Sequence, residues 1–216
     1  GRELLQREKG YIVQCLCVLM SYKECLACAL QEGALDVLLS IVEKSTGDVE
    51  CHDALRMLAA LVSHRKFALV FIEAGGLQKL LPLPHMEYYA SSVGLCLLSM
   101  ASFKGVMDHL CRLSNPDPPT LTAFALRLLE CGDEVASCNM CQFLARVLSY
   151  EAFLGPFDAR NGVHLLLKVG RQCADSSSGQ TRKNVSKYCC LALRNYLRSH
   201  LLFARVLMQD SDTAVA

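Results

Sequence analysis

One short pattern recurs five times along the chain and constrains the fold more than any other feature. It consists of an apolar residue, any residue, Ser, a ring-bearing residue and, three positions later, an apolar residue or Cys. The five copies lie 39 to 50 positions apart and contain Ser21, Ser63, Ser102, Ser149 and Ser199. A second pattern, Gly before a leucine-rich run, follows three of these serines by 12 or 13 residues, at Gly33, Gly75-Gly76 and Gly162. Recurrence on a fixed period indicates a repeat protein.

The spacing of the glycines gives the repeat length. Gly33 and Gly76 are 43 residues apart, and Gly162 follows after twice that interval. The copy missing near position 119 is replaced by a proline-rich helix breaker, 115–119. HEAT and armadillo repeats have periods of about 40–47 residues, whereas an ordinary helical bundle has no reason to repeat Ser and Gly at fixed intervals.

The chemistry of the repeated residues predicts how each unit folds. A Ser that follows an apolar run is expected to cap the N-terminus of the next helix, and a Gly can end that helix in a left-handed conformation. Leucines at i, i+3 and i+4 predict one face of a third helix. The sequence therefore predicts an all-α, armadillo/HEAT-like superhelical solenoid of about five three-helix repeats, the last of them incomplete.

Breaks in the pattern predict the limits of the units within a single repeat domain, 1–216. The predicted units are approximately 1–44, 48–81, 86–115, 119–172 and 180–208. A serine-rich segment, 174–179, is the predicted flexible loop. The fifth unit has no closing Gly and the chain has no initiating Met, so we expect a longer parent protein.

Charge and cysteine content bear on partners and compartment. The net charge is +1, with 22 basic and 21 acidic side chains, and this balance gives no field for nucleic acid or a membrane surface. The longest apolar stretch, 12–20, is too short to span a bilayer. Thirteen cysteines, an odd number, lie mostly in apolar helical patterns, which indicates reduced, buried thiols and a nuclear or cytoplasmic protein.

Residues 54–59 and 71–81 look like an armadillo consensus unit. An ordered series of further motifs resembles the Vpr-binding protein (Mahjong) family, the substrate receptors of cullin-four RING ubiquitin ligases. The motifs are Phe67-Ala68, Ala74-Gly75-Gly76, Gln78-Lys79-Leu80-Leu81, Cys96-Leu97, Leu129-Glu130-Cys131, Phe157-Asp158, Gln180-Thr181, Ala192-Leu193-Arg194 and His200-Leu201. The resemblance implies a large receptor with an armadillo-like N-terminal region, a LisH motif, a WD40 propeller that docks on the ligase adaptor, and an acidic tail.

Two Cys-x-x-Cys pairs, Cys25 with Cys28 and Cys138 with Cys141, invite a zinc interpretation. A structural zinc site needs four converging ligands, but these pairs lie 113 residues apart. Cysteines at i and i+3 on a helix share one face, so core packing is the favoured interpretation. Cys131 adds a third local thiol without an adjacent His. We predict no metal and no cofactor.

Catalytic motifs are missing as well. The sequence contains no phosphate-binding loop, kinase His-Arg-Asp or Asp-Phe-Gly, or Gly-x-Ser-x-Gly elbow. His64 and His200 occupy the ring position of the repeated pattern, which favours packing over catalysis. The predicted function is a non-enzymatic, protein-binding scaffold that recruits substrates or other parts of the parent receptor. The alternatives are a structural spacer and, as the enzymatic rival, a protein kinase-like activity.

Solvent-facing residues on the last helix of a unit are predicted to bind partners on a concave surface. On this basis the candidates are Asp36, Ser40 and Lys44 in the first unit and His164 and Lys168 in the fourth. The C-terminal third is locally basic, and its candidates are Arg171, Arg194 and Arg198. The basic residues fit either a solvated helix face or a docking patch for an acidic partner.

Overall fold

A computed structural model describes residues 2–20, 22–44, 49–83, 86–174 and 179–215. These residues form thirteen α-helices and no strand. In chain order the helices are α1 (Arg2–Leu19), α2 (Lys23–Gln31), α3 (Ala34–Lys44), α4 (Val49–Val62), α5 (Arg65–Glu73), α6 (Gly76–Leu80), α7 (Met86–Met100), α8 (Lys104–Leu110), α9 (Pro118–Leu129), α10 (Glu134–Val147), α11 (Glu151–Ala159), α12 (Gly162–Ala174) and α13 (Gln180–Val215). The chain divides into two compact units, Gly1–Val106 and Met107–Ala216.

The first unit is built around α4, which packs against α1, α3, α5 and α7. Leu55, Leu58, Leu61 and Val62 of this helix are completely buried. Nine of its fourteen residues are buried, whereas Val49 and Arg56 are exposed, so α4 forms the centre of this unit's core. On α7, burial raises the pKa of the Cys96 thiol to about 12, so this cysteine packs as a small neutral side chain.

The second unit is held together by the long α13, which packs against α10, α11 and α12. Val185, Cys189 and Ala192 form its buried stripe. Polar contacts fix its register, because Asn195 Nδ2 donates a hydrogen bond of 2.6 Å to the Ala145 carbonyl of α10. The helices α9 and α11 pack beside this arrangement.

Left-handed residues turn the chain between the short helices. Gly33 precedes α3 with φ +67°, and Gly75 precedes α6 with φ +73°. Both match the predicted glycine turns, since Gly adopts this region without a steric penalty. The prediction is wrong for Gly162, because the left-handed residue before α12 is Asn161, with φ +53°. Asn tolerates this conformation better than most side chains.

Gly162 is required for a different reason, which it shares with Gly76. A Cβ at Gly76 would lie 2.1 Å from the Phe71 ring, and one at Gly162 would lie 2.3 Å from the Phe157 ring. Both rings are completely buried. Each ring therefore packs on the backbone that begins the following helix, and only Gly leaves room for it.

The predicted capping role of the repeated serines is wrong. Ser63 Oγ donates to the Ala60 carbonyl at 2.6 Å, and Ser102 Oγ donates to the Leu98 carbonyl at 3.1 Å. These serines lie after the preceding helix, where the last carbonyls lack backbone donors. The N-cap positions belong instead to the ring-bearing neighbours, which form no side-chain capping bond: Tyr22, His64 and Tyr150. Ser21 lies outside the described residues.

Two aspartates are the side-chain N-caps that the repeat pattern did not identify. Asp117 Oδ1 accepts from the Thr120 backbone N–H at 2.9 Å, and Asp133 Oδ1 accepts from the Ala136 N–H at 2.6 Å. Asp117 begins α9 within the proline-rich segment that replaces the missing glycine copy. A short polar side chain thus takes over the start of this helix.

The helices depart from the predicted grouping in two places. The predicted third unit, 86–115, contains only two helices, α7 and α8, instead of three. The next helix, α9, begins at Pro118 and ends at Leu129, beyond that range. In the fifth range, α13 runs unbroken through Ser199, where a new helix was expected. Ser199 is buried inside this helix, and no Gly or Pro lies nearby to interrupt it. The predicted break at 45–47, positions 84–85 of the predicted break at 82–85, and most of the predicted loop at 174–179 lie outside the described residues.

Among the described residues, no single helix combines the length and apolar character needed to cross a membrane. Two helix pairs, each bent at a short break, reach that length and composition together. They are Glu24–Gln31 with Ala34–Lys44, bent by 66°, and Glu87–Met100 with Lys104–Leu110, bent by 106°.

Candidate functional site

The predicted residues of the first unit lie on α3. Asp36 and Lys44 are exposed, and Ser40 is half-buried. Asp36 is in the first turn and Lys44 in the last turn, where both charges also favour the helix dipole. The neighbouring Glu43 forms a 2.9 Å ion pair with Lys79 of α6. The structure thus places these side chains at the surface, and their role in binding stays a prediction.

The predicted residues of α12 separate into two groups. His164 and Lys168 are exposed, lie one turn apart and line the same groove beside α9. Arg171 is also exposed but lies outside that groove. The spacing of three or four residues puts side chains on one helix face, which explains why His164 and Lys168 come together.

On α13, Arg194 and Arg198 are exposed and lie one turn apart. Neither residue lines the groove beside α9. Large apolar side chains on the same helix are exposed as well, with Leu197 at 60% and Leu201 at 70%. Arginine mixed with exposed leucine is a composition found at protein interfaces, so this helix face stays a candidate contact surface.

The groove between α9 and α12 is the concave feature that brings two of the predicted residues, His164 and Lys168, together. We call it the basic groove, and its volume is about 420 Å³. It is lined by Ala123, Leu126, Arg127, Glu130, Arg160, Asn161, His164, Leu165 and Lys168. Leu126 and Leu165 are buried and form an apolar floor. The charged side chains at its edges are exposed.

Cations outnumber anions along the basic groove. Arg127, Arg160 and Lys168 carry positive charge, and Glu130 is the one carboxylate among the lining residues. Lys168 Nζ lies 3.8 Å from Glu130 Oε1, and both side chains are 53% exposed. An exposed ion pair at this distance contributes little stability. The groove therefore offers cationic groups that can exchange partners at little energetic cost.

Local contacts hold two of these cations in place. Arg160 Nη1 donates to the Pro156 carbonyl at 3.3 Å, and the Arg127 guanidinium lies 5.4 Å from the centre of the Phe124 ring. An arginine held over an aromatic face loses less side-chain freedom when it binds an anion. Both positions are on helix ends, with Arg127 in the last turn of α9 and Arg160 directly after α11.

A second cavity of about 380 Å³ continues from the basic groove. The two share Glu130, Leu165 and Lys168. In the second cavity the cation Arg182 is already paired, with Nε 2.6 Å from Glu134 Oε1. The excess of positive charge therefore belongs to the basic groove.

Sequence reasoning found His164 and Lys168 but missed Arg127, Arg160 and Asn161. Arg127 is separated from Arg160 by 33 positions, and no periodic pattern predicts which side chains of neighbouring helices meet. One signal was available, because Arg160 and Asn161 directly precede the glycine of the repeat pattern. Residues at such a turn are fixed in position by the junction itself.

The Cys-x-x-Cys pairs behave differently from one another. Cys138 and Cys141 are buried, as predicted, whereas Cys28 is exposed and Cys25 only partly covered, so core packing is wrong for Cys28. The short α2 packs chiefly against α3, which covers one side of it and leaves Cys28 exposed. Within the described part of the chain, no three His, Cys, Asp or Glu residues come together in a group that could hold a metal.

The buried thiols of the second unit lie close together. Cys141 Sγ is 3.4 Å from Cys189 Sγ, in the contact between α10 and α13. The hydrogen bond to Cys189, together with burial, raises the pKa of Cys141, and the same hydrogen bond lowers the pKa of Cys189. Two thiols that share a hydrogen bond in a core act as packing groups.

The repeat histidines contact neighbouring helices. His64 Nε2 lies 3.3 Å from the Met20 carbonyl. His200 Nε2 lies 3.2 Å from Asp158 Oδ2 of α11, and its ring packs edge-on against Tyr196 of its own helix, with 4.5 Å between ring centres. Tyr196 Oη donates to Asp158 of α11 at 2.6 Å, and this bond raises the Tyr196 pKa to about 12. Both histidines thus occupy packed positions between helices.

Comparison with known families decides where this fold belongs. The family model for the Mahjong helical domain matches residues 5–114. The chain belongs to the Mahjong helical domain family. This match includes residues 5–60, which carry none of the motifs on which the resemblance rested. The motifs of the resemblance lie between residues 67 and 201, so they overlap the matched range only from 67 to 114.

Curated relatives extend the Mahjong assignment along the chain. A protein named DDB1- and CUL4-associated factor homolog 1 from Arabidopsis thaliana is 30% identical over 92% of this chain. The Caenorhabditis elegans protein of the same name is 30% identical over 88%. Protein mahjong of Drosophila melanogaster is 26% identical over 89%. The chain spans only 12% to 14% of the length of these relatives.

Solved structures address the fold of this Mahjong family member. An engineered protein studied by crystallography is similar with a TM-score of 0.50, 16% identity, and coverage of 88% of this chain and 90% of the other. A designed armadillo repeat protein in complex with the peptide (KR)4 gives a TM-score of 0.49, 15% identity, and coverage of 88% and 94%. The predicted all-α, armadillo-like solenoid fold is confirmed.

Proposed function

We propose that this chain is a protein-interaction module of a substrate receptor for a cullin-RING ubiquitin ligase. It recruits protein partners and catalyses no reaction itself. The observation that carries this proposal is the alignment of 88% to 92% of the chain with two relatives named as DDB1- and CUL4-associated factors. A shared fold alone would not support it, since one fold hosts many functions.

The geometry of the second unit supports a binding role. The basic groove combines an apolar floor at Leu126 and Leu165 with exposed cations at its edges. Concave sites that join apolar surface to a few oriented polar groups are typical of ligand recognition. We place the main partner contact at His164 and Lys168, and we treat Arg194 and Arg198 as a second contact on α13.

Association with a ligase adaptor is proposed for the receptor as a whole. Because this chain corresponds to a small part of the relatives, we assign that contact to regions beyond this sequence. We further propose that the receptor works in the nucleus, the cytoplasm or both. The free cysteines of the described residues support this location, since oxidising compartments favour disulfides.

A competition experiment tests the proposal. The purified chain is immobilised and exposed to a cell extract, and the proteins that it captures are identified by mass spectrometry. Each captured protein is then added to a reconstituted ligase that contains the full receptor. If the chain recruits substrates, an excess of the free chain competes for them and lowers their ubiquitination. A designed helical repeat protein of similar size and charge serves as the control and is expected to have no effect.

Three outcomes contradict the proposal. Captured proteins whose ubiquitination does not respond to the free chain are not substrates recruited by it. Capture no greater than that of the control protein favours a structural spacer. Phosphate transfer from ATP and Mg²⁺ to a protein substrate, abolished by a single polar substitution, identifies an enzyme instead.

A further inference from the structure

We infer that the basic groove binds an acidic segment of a partner protein, with carboxylates at its edges and an apolar side chain on its floor. This inference rests on the proposed function, because it names the chemistry of the partner that the module recruits. It assigns a defined site to the local excess of basic residues, which by sequence alone fits a solvated helix face equally well.

The charges of the basic groove carry the inference. Arg127, Arg160 and Lys168 line it together with His164, and Glu130 is the single carboxylate among the lining residues. The pair between Lys168 and Glu130 is long, at 3.8 Å, and half exposed. A carboxylate of a bound peptide can replace Glu130 beside Lys168 at little cost, because such exposed pairs are weak.

One helix end, the N-terminus of α12, adds to the attraction for negative charge, whereas the C-termini of α9 and α11 oppose it and are offset by Arg127 and Arg160. Asn161 turns the chain so that α12 begins at Gly162, at the edge of the groove. The N-terminus of a helix carries a partial positive charge. Arg160 lies directly before this turn and lines the same groove, so the cation and the helix end both contribute positive charge to it.

The floor explains why the partner carries an apolar side chain as well. Leu126 and Leu165 are 6% and 9% exposed, and Ala123 lies beside them with intermediate exposure. Small and branched apolar side chains at the base of a cleft accept another apolar group more readily than a charged one. An acidic segment that contains a leucine or similar residue therefore matches both features.

The composition of the groove favours a peptide over nucleic acid. Binding sites for single strands combine cations with aromatic side chains on which bases stack. None of the residues that line the basic groove is Phe, Tyr or Trp. The continuing second cavity, which shares Glu130, Leu165 and Lys168, supplies length for an extended backbone.

Fluorescence anisotropy with the whole chain tests the inference. The probe is a short labelled peptide in which Glu alternates with Leu, and its partner probe has Gln in place of Glu. We expect binding of the Glu peptide, weakened by added salt, and no measurable binding of the Gln peptide. In the chain, Arg160→Glu combined with Lys168→Glu is expected to weaken binding about tenfold or more, which corresponds to at least 1.4 kcal/mol.

The matched control is Arg112→Glu combined with Lys183→Glu, which makes the same total charge change on an exposed Arg and an exposed Lys of the same unit, outside the groove. Its affinity is expected to stay within about twofold of the parent chain. Arg127→Gln provides a gentler variant if the double reversal lowers the thermal midpoint, and about a threefold loss is expected from it.

Several results overturn the inference. Equal loss in the control and the groove variants indicates attraction by overall charge alone. Equal binding of the Gln peptide, or tighter and equally groove-dependent binding of a single-stranded oligonucleotide, excludes an acidic peptide as the partner. If the groove variants still capture substrates, the inference fails while the proposed function stands. If the parent chain binds the Glu peptide through the groove but captures no substrate, the proposed function fails while the groove remains a peptide site.

Discussion

The α5–α6 and α11–α12 junctions are two copies of one structural device that reach different outcomes. In each copy a buried phenylalanine packs on the glycine that begins the next helix, Phe71 on Gly76 and Phe157 on Gly162. After the junction, α6 lasts only five residues, whereas α12 lasts thirteen. The longer helix has the additional turn that carries Lys168 into the basic groove.

The turn residue differs as well. Gly75 adopts the left-handed conformation in the first copy and Asn161 in the second. Gly75 contributes no side chain, whereas Asn161 lines the basic groove together with Arg160. The packing of phenylalanine on glycine is therefore the same in both junctions. The turn residue and the length of the following helix differ, and they determine which side chains line the groove.

An earlier copy between α2 and α3 solves the packing problem in another way. The positions of the phenylalanine and the glycine are occupied there by Ala29 and Ala34. Ala29 is buried, but it is too small to require a glycine opposite. The ring and the missing Cβ therefore form a matched pair, and the following predictions test that match.

The largest effect is expected when the ring is removed. Phe157→Ala should lower the free energy of unfolding by about 3–5 kcal/mol, because it leaves a cavity in the core. Phe71→Ala should cost somewhat less, since the Phe157 ring also contacts Tyr196, with 5.5 Å between ring centres. Urea denaturation monitored by circular dichroism measures both. An equal or reversed order contradicts the assigned role of Tyr196.

Adding a methyl group to the glycine should have the next largest effect. Gly76→Ala and Gly162→Ala force a Cβ into a ring and should each cost about 1–3 kcal/mol. Gly155→Ala is the matched control, because its Cβ meets nothing within 4 Å inside α11; it should stabilise by up to about 1 kcal/mol.

The effects of substituting Phe157 and Gly162 are also expected to be non-additive, because the two residues are in contact. In a Phe157→Ala background, Gly162→Ala should cost almost nothing, because the combination reproduces Ala29 and Ala34 of the first copy. Equilibrium unfolding of the four variants gives the coupling free energy. Strictly additive costs show that the glycine is needed for some other reason.

These junctions were accessible from the sequence, but the cause of their glycines was not. The recurrence of Gly33, Gly76 and Gly162 was enough to predict helices, turns and the armadillo-like fold, because turn residues and helix periodicity are local properties. That Gly162 faces a ring, while Asn161 makes the turn, depends on a contact between helices. Local pattern carries no direct information on such a contact.

For the serines, the sequence pattern predicted the wrong hydrogen-bond partner. A hydroxyl in a short loop can accept from the next helix or donate to the previous one, and Ser63 and Ser102 do the latter. The groove escaped prediction for a related reason, since Arg127 and Arg160 meet only through the packing of α9 beside α11 and α12. The sequence identified the cations of α12 but not their companions on other elements.

A smaller effect is expected at the left-handed residue. Gly75→Ala should cost about 1 kcal/mol from the strained backbone alone, because its Cβ would make only an ordinary contact of 3.5 Å with Gln78. Gly75→Asn imports the residue of the second copy and should cost less. Thermal unfolding of both variants measures the difference, and a costlier Asn variant shows that the two turns are not equivalent.

The smallest effect concerns the α8–α9 junction, where Asp117 replaces the glycine. Hydrogen bonds from the side chain and backbone of Thr120 hold the pKa of Asp117 below its ordinary value of 3.8. A carboxyl with a lowered folded-state pKa contributes stability above the unfolded pKa, and that contribution is lost as pH falls through the folded value. The stability difference between the parent chain and Asp117→Asn should therefore be full at about pH 6 and clearly smaller at about pH 2. Urea midpoints at both pH values measure it, and a difference of the same size in acid shows that the cap does not depend on the charge.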